Sequence, residues 1–135
     1  MNQQKIDFSI LTTGYEFEPS VFRLDKKAVM AYLDAVEGDK QIYEKDGIVP
    51  PMAVAALAMT AMAEGMSLPP GAIHVSQDLQ FHAIVSFDET LTSYAKVNRK
   101  VERGKFHMLT IGTNVYNQKQ IPVLSGETGF ILPLS

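Results

Sequence analysis

One stretch of the sequence, from Met52 to Met66, constrains the fold more than any other. It consists mainly of alanine, methionine and other apolar helix formers, and it has no polar side. A helix that is apolar almost all round has to be buried on most of its sides. Pro51 precedes the stretch, and the first helical position is the one that proline favours. We therefore predict a buried helix that begins near Pro51.

The sequence after this helix predicts strands. Residues 106–116 alternate between two sets of side chains in the way that is typical of a half-buried strand. The connections at 102–105 and 117–120 are short enough for hairpins, so the last three strands should form an antiparallel meander. The predicted strands cover residues 72–85 with a break near Ala83, 90–101, 106–116 and 121–132.

The sequence before the buried helix is mixed. Apolar residues recur at three- and four-residue spacing from Leu24 to Glu37, which predicts a helix with Asp25 as its N-cap and Gly38 as its stop. Residues 1–14 are predicted to be partly ordered, and residues 15–22 favour β structure. Residues 39–49 are predicted to form a polar loop.

These elements predict one α+β domain in which a curved antiparallel sheet wraps the buried helix. A chain of 135 residues has the usual size of a single domain. A lone domain of this shape leaves one sheet edge and one side of the helix poorly covered. We therefore expect a homodimer or a higher homo-oligomer.

Composition narrows the classes of function. The chain has no cysteine, which excludes disulfides, thiolate metal sites and cysteine nucleophiles. Its 12 basic and 15 acidic residues form no basic stripe, which argues against nucleic acid as a partner. Residues 1–8 lack the layout of a signal peptide, and the apolar stretch is too short to span a bilayer. We expect a cytoplasmic protein that does not bind membranes.

Four stretches, taken in order, resemble the MaoC-like branch of the hot-dog fold, which contains the (R)-specific enoyl-thioester hydratases and dehydratases. They are Ala31–Asp39, Gly47–Met52, His74–His82 and Phe87–Leu91. The resemblance implies a single hot-dog domain over residues 1–135. It also implies an acyl-thioester ligand, carried by coenzyme A or an acyl-carrier protein, and hydratase or dehydratase chemistry without a cofactor.

Catalytic members of that family carry the pattern Gly-Asp-x-Asn-Pro-x-His. Asp39 follows Gly38 and matches the aspartate, which makes it the candidate base, although a loop aspartate that caps a turn explains it as well. The histidine position falls on Glu44, a candidate second carboxylate or a solvated loop residue. With a gap, Tyr43 aligns instead with the tyrosine of non-catalytic half-domains, where it could orient a ligand. An amphipathic side chain packed at the edge of the domain explains Tyr43 equally well.

The histidines that are present lie elsewhere. By the resemblance, His74 and His82 both lie near the mouth of the groove, as a substrate-binding and a catalytic candidate. A structural, hydrogen-bonded histidine is the alternative for each. Neither has a partner at metal-ligand spacing, so we expect no zinc site.

The start of the buried helix is the expected thioester site. Pro50 and Pro51 have no N–H, so the amides of Met52 and Ala53 are the first donors for the thioester carbonyl oxygen. The missing histidine leaves a second hypothesis, a non-catalytic partner subunit of a hot-dog dehydratase. A third is a hot-dog thioesterase that uses Glu64, late on the helix, to activate water.

Overall fold

The structure, a computed structural model, describes residues 5–133. Its helices are α1 (Lys26–Ala35), α2 (Lys40–Asp46) and α3 (Pro51–Glu64), with a 3-10 turn at Phe8–Ile10. Its strands are β1 (Ile6–Asp7), β2 (Ser20–Arg23), β3 (Ile48–Val49), β4 (Met66–Ser67), β5 (Ile73–Phe81), β6 (Val85–Ser86), β7 (Thr90–Arg103), β8 (Phe106–Asn117) and β9 (Pro122–Pro133). The expectation of partial order over 1–14 falls in part on residues 1–4, outside the described residues.

The predicted central helix is confirmed as α3. Pro51 occupies its first position and Gly65 is its C-cap. Its buried side chains are Ala53, Val54, Ala55, Ala58 and Met62. Met52, Ala56, Thr60 and Ala63 follow one another at about one-turn spacing on an exposed face. The helix is therefore buried on one broad side and uncovered on the other within a single chain.

The predicted meander is also confirmed. The five-stranded antiparallel sheet has the order β2-β7-β8-β9-β5, so β5 and β2 are its edges. The break expected near Ala83 separates β5 from β6, and β6 pairs with β3 in a separate antiparallel ribbon. This ribbon lies at the start of α3 because β3 ends at Val49, immediately before Pro50.

Three expectations for the N-terminal half need correction. The segment predicted as a polar loop contains α2, because Asp39 caps its start and Gly47, with φ +64°, ends it in the left-handed region. Helix α1 begins after its predicted N-cap Asp25 but stops at Ala35, ahead of Glu37 with φ +56°. In the β-leaning segment, regular pairing begins only at Ser20, after an isolated bridge at Glu16.

The core consists of two clusters along α3. The first cluster surrounds the first half of the helix and contains Leu24, Val29, Leu33, Val49, Ala53, Val54, Ala55, Ala58, Val85, Leu91, Val115, Val123 and Leu124. The second cluster surrounds its end and contains Leu11, Phe17, Met62, Met66, Val97, Leu109, Ile111, Phe130 and Leu132.

The second cluster is closed by residues 6–14, here called the N-terminal strap. Leu11 of the strap is 1% exposed, and β1 pairs in parallel with β4. The Lys100 ammonium group on β7 donates hydrogen bonds to the carbonyl oxygens of Phe8 at 2.7 Å and Leu11 at 2.9 Å. It also lies 5.6 Å from the centroid of the Phe8 ring. These contacts fix the strap across the sheet.

No helix within residues 5–133 is both long enough and apolar enough to cross a membrane.

Candidate functional site

An apolar cleft of about 270 Å³ opens at the start of α3. One wall is the β3–β6 ribbon, one side is the first turn of α3, and the remainder comes from the segment that joins β5 to β6 and from the start of β9. Its lining residues are Ile48, Val49, Pro51, Val54, Phe81, His82, Ala83, Ile84, Val85 and Val123. Nine of these ten are apolar, so the α3 cleft suits a hydrocarbon group rather than a charged one.

The rim of the α3 cleft is apolar as well. Ile84 is 74% exposed and Phe81 is 42% exposed. Met52, next to the lining residue Pro51, is 52% exposed. Large apolar side chains gathered at the mouth of a cleft are typical of a surface that binds a ligand or another subunit.

His82 is the one titratable residue that lines the cleft. Its backbone N–H donates to the Val123 carbonyl at 2.8 Å, which extends the β5–β9 pairing by one residue. Its ring nitrogen Nε2 shares a hydrogen bond of 2.7 Å with the Ser125 hydroxyl on β9. The ring is thereby tied to the sheet, and only its Nδ1 remains for a second partner.

Asp39 lies outside the residues that line the cleft. Its Oδ1 accepts a hydrogen bond of 2.9 Å from the Gln41 N–H and so caps the first turn of α2. The structure therefore gives Asp39 the capping role that the sequence left open beside the catalytic one.

The other two α2 candidates also have local partners. The Glu44 carboxylate lies 3.0 Å from the Lys26 ammonium group, in an ion pair whose side chains are about half exposed. Tyr43 is partly buried and packs against the first cluster. Neither residue lines the α3 cleft.

The first turn of α3 offers one donor fewer than expected. The Ala53 N–H donates to the Pro50 carbonyl at 2.9 Å, and Pro51 has no N–H. Of the two amides expected to bind a thioester, that of Met52 finds no acceptor within residues 5–133. Pro51 itself lines the cleft, whereas Met52 and Ala53 are its neighbours along the helix.

The two histidines expected at one groove mouth are separated within a single chain. His74 lies near the start of β5 and His82 follows its end, roughly 25 Å apart at strand spacing. His74 Nε2 bonds the Ser76 carbonyl at 3.0 Å, and its ring lies 5.3 Å from the ring of Phe130, in the second cluster. Residues 5–133 contain no group of three or more side chains arranged to hold a metal ion.

Glu64, the thioesterase candidate, lies at the opposite end of α3 from the cleft. It lines a separate, shallower groove of about 400 Å³ between α3 and β2, here called the β2 groove. The other residues of that groove are Ser20, Val21, Phe22, Leu57, Thr60 and Ala61. The α3 cleft and Glu64 therefore do not form one site.

Several residues of the cleft were not anticipated from the sequence. Ile48 and Val49 fell in the segment predicted as a loop, although two adjacent β-branched residues before Pro50 are a signal for a short strand. Val123 and Ser125 reach the cleft region through the β5–β9 register, 40 or more residues from their partners. A local pattern carries no signal for such pairs.

The comparisons with known proteins agree with this architecture. The family model of the FAS1-like dehydratase domain region matches residues 11–125. A search among curated proteins finds no match.

Solved structures similar to the chain include three that correspond to it over most of its length. The R-hydratase PhaJ1 from Pseudomonas aeruginosa is 23% identical, with a TM-score of 0.80 and coverage of 98% of this chain and 89% of that one. A MaoC-like dehydratase from Rhodospirillum rubrum is 16% identical, with a TM-score of 0.75 and coverages of 95% and 97%. The HadBC (3R)-hydroxyacyl-ACP dehydratase complex from Mycobacterium tuberculosis is 18% identical, with a TM-score of 0.72 and coverages of 88% and 96%. At these identities the likeness shows the fold, and it confirms the hot-dog fold expected from the sequence.

Proposed function

We propose that this chain, which belongs to the FAS1-like dehydratase domain family of MaoC-like hot-dog proteins, binds an acyl thioester and serves as the subunit that shapes the acyl site in enoyl-thioester hydration or dehydration. The observation that carries the proposal is the α3 cleft, an apolar space at the start of the central helix. The thioester would be that of coenzyme A or of an acyl-carrier protein.

The cleft offers different surroundings to the acyl chain and to the thioester carbonyl of such a ligand. Val54, Val85 and Val123 provide an apolar surface for the acyl chain. The start of α3 carries the partial positive charge of the helix dipole, and the Met52 amide is its free donor within the described residues. A carbonyl oxygen placed there would be polarised, as hydration of the conjugated double bond requires.

Water addition also needs a positioned base and acid, and the described residues supply no such pair in the cleft. Asp39 caps α2, Glu44 pairs with Lys26, and the His82 ring is bonded to Ser125. Neither carboxylate lines the cleft, and each already has a local partner, so neither is set to activate water there. This arrangement supports the partner-subunit role over independent catalysis.

A second hot-dog subunit would supply the missing dyad. The HadBC dehydratase, one chain of which is similar to this chain, is a complex, which supports the same arrangement here. In this chain the open edge of β5 continues directly into Phe81 and His82 at the cleft. A subunit that pairs with β5 would therefore lie next to the acyl site.

The test is a paired binding and turnover experiment on the purified chain with crotonyl-coenzyme A. Calorimetry should show binding, and the enoyl absorbance should not decline. Asp39→Asn should leave both results unchanged, as should Asp46→Asn, a matched change at the other end of α2. Turnover by the chain alone that is lost in Asp39→Asn and kept in Asp46→Asn would assign catalysis to this chain with Asp39 as base.

The thioesterase alternative has its own readout in the same samples. Release of free thiol should be absent, because Glu64 and the α3 cleft lie at opposite ends of α3. Thiol release that disappears in Glu64→Gln would place the chemistry in the β2 groove and contradict the proposal.

A further inference from the structure

One end of the five-stranded sheet has apolar side chains on the face that points away from α3. The strand registers place four of them in a single row across β7, β8, β9 and β5: Val101, Met108, Ile131 and Ile73. Their strand neighbours Leu109 and Leu132 are fully buried in the second cluster, and successive side chains of a strand point to opposite faces. The row therefore faces outward, and we call it the outer row. Ile73 is 57% exposed and Met108 is 41% exposed.

The remainder of this sheet face is polar. The same alternation places Tyr94, Asn114 and Ser125 on it in one cross-strand row, and Lys96 and Glu127 in the next. A polar outer face is the usual arrangement for an antiparallel sheet that has a core on its other side. The outer row is an exception to it and is confined to one end of the sheet.

Basic side chains flank the β7 end of the outer row. Arg99 and Arg103 lie two residues before and after Val101 on the same strand, and Lys105 lies in the turn that follows. All three are exposed, and no ion pair within residues 5–133 includes any of them. Residues 99–105 contain four bases and one acid, a net charge of +3 in a chain whose total is −3. The β7 end of the row therefore attracts anionic groups.

The other end of the outer row has the opposite character. Strands β5, β8 and β9 contain no lysine or arginine. Asp78 and Glu127, which are paired across β5 and β9, lie on the same sheet face. An anionic membrane would surround the inserted side chains with negative headgroups on every side, and this one-ended distribution of charge does not match it. The distribution suits a partner that carries its acidic groups at one end.

The dimensions of the outer row suit a helix. Neighbouring strands lie about 4.8 Å apart, so a row across four strands is roughly 14 Å long. An α-helix advances 5.4 Å per turn and repeats one face at three- and four-residue spacing. A helix that lies along the row therefore presents about one apolar side chain to each strand over nearly three turns. The negative end of its dipole, the C-terminus, is favoured beside Arg99 and Arg103.

We propose that the outer row binds an acidic amphipathic helix of another protein, with the apolar face of that helix on the row and its acidic end at Arg99 and Arg103. The row lies at the end of the sheet that covers the second cluster, whereas the α3 cleft lies at the first. The helix and an acyl thioester therefore do not compete for the same surface. The inference is independent of the proposed function.

Fluorescence anisotropy with two labelled synthetic peptides tests the charge of the partner. Both peptides are alanine-rich helices with leucines at three- and four-residue spacing, and their last turns contain glutamates in one peptide and lysines in the other. The glutamate peptide should bind wild type at least about tenfold more tightly than the lysine peptide. This advantage should shrink as salt is added.

Four variants locate the binding surface. Arg103→Glu should weaken the glutamate peptide by about tenfold and strengthen the lysine peptide. Met108→Gln removes apolar contact without changing charge and should weaken both peptides by several-fold. The matched controls Lys119→Glu and Ile121→Gln lie in the β8–β9 turn, where Ile121 is 46% exposed, and should leave both affinities unchanged. All four positions are exposed, so the urea midpoint of each variant should stay near that of wild type.

Five results would overturn the proposal. Three are failure of the glutamate peptide to bind, equal affinity for the two peptides, and equal losses in the control variants. The fourth is cosedimentation of the chain with phosphatidylglycerol–phosphatidylcholine vesicles that Arg103→Glu abolishes, without peptide binding, which would assign the row to a lipid surface. The fifth is a wild-type dimer in native mass spectrometry that Met108→Gln dissociates and Ile121→Gln preserves, which would assign the row to a second copy of the chain.

Discussion

The two core clusters sit at opposite ends of one helix and differ in how they are closed. The second cluster is sealed: the N-terminal strap crosses it, Lys100 bonds two strap carbonyls, and Leu11 is 1% exposed. The first cluster opens into the α3 cleft, where Val54, Val85 and Val123 are core residues and lining residues together.

Under the proposed function, this difference separates stability from binding along α3. At the sealed end, each buried side chain is surrounded by others, and its loss leaves a cavity. At the open end, the β3–β6 ribbon and the first turn of α3 leave apolar surface uncovered in the α3 cleft. Changes at the sealed end should therefore cost stability, and changes at the open end should cost affinity.

The largest effect is expected from Leu109→Ala in the second cluster. Leu109 has no exposed surface, so the change should lower the free energy of unfolding by about 2–5 kcal/mol. Urea denaturation measures the loss through the shift in midpoint. Crotonyl-coenzyme A affinity of the folded fraction should stay as in wild type, and a matching loss of affinity would contradict the separation.

Two valines give a matched control for that comparison. Val97 in the second cluster and Val85 in the first are both buried. Val97→Ala should cost about 1 kcal/mol more than Val85→Ala, because only the first leaves a closed cavity and the second widens an existing cleft. Equal costs would show that the two clusters are equally sealed.

Lys100→Met tests the strap. It removes the two hydrogen bonds to the Phe8 and Leu11 carbonyls and should lower the free energy of unfolding by about 1.5–3 kcal/mol. Hydrogen exchange should increase in the strap and stay unchanged in the β3–β6 ribbon. An equal increase in the hydrogen-exchange rates of the strap and of the β3–β6 ribbon would show that Lys100 does not act through the strap.

Ala83→Phe should fill the cleft. Ala83 is half-buried and lines the α3 cleft, so a phenyl ring there should weaken binding of crotonyl-coenzyme A by at least about tenfold, or 1.4 kcal/mol. The matched change Ala61→Phe enlarges a lining residue of the β2 groove and should leave affinity as in wild type. The reverse pattern would place the ligand in the β2 groove.

The smallest effect concerns Asp7. Hydrogen bonds from the Ser9 hydroxyl and then from the Ser9 N–H lower the pKa of Asp7 below its ordinary value of 3.8. A carboxyl group whose pKa is lowered on folding adds stability above the unfolded pKa and loses it as pH falls through the folded pKa. Asp7→Ala should therefore be slightly less stable than wild type at pH 7, and the difference should vanish below the folded pKa, as urea midpoints across pH would show. A difference that persists there would contradict this origin.

The sequence predicted those parts of the fold that depend on a pattern among neighbouring residues. The apolar run of α3 and the alternation of β8 are local patterns, and both elements were identified with nearly correct bounds. Helix α2 was missed because its seven residues carry only Ile42 and Tyr43 as apolar members, too few to show a periodicity. Its caps, Asp39 and Gly47, were the available signal.

The candidate site was less predictable because its parts meet through pairing of distant strands. The start of α3 was predicted to be the ligand end, and Pro51 and His82 both line the cleft found there. The bond from His82 to Ser125 depends on the β5–β9 register across 43 residues, which no local pattern specifies. His74 and His82 lie far apart because β5 is an extended strand of nine residues. His74 is near its start, and His82 follows its end.

Methyl NMR of the labelled chain during titration with crotonyl-coenzyme A tests the division of α3 most directly. The account predicts shifts at the methyl groups of Val49, Val54 and Val85 in the first cluster, and unchanged signals at Leu109 and Leu132 in the second. Shifts concentrated at Leu57 and Val21 in the β2 groove, shifts in the sealed cluster, or the absence of any shift would contradict it.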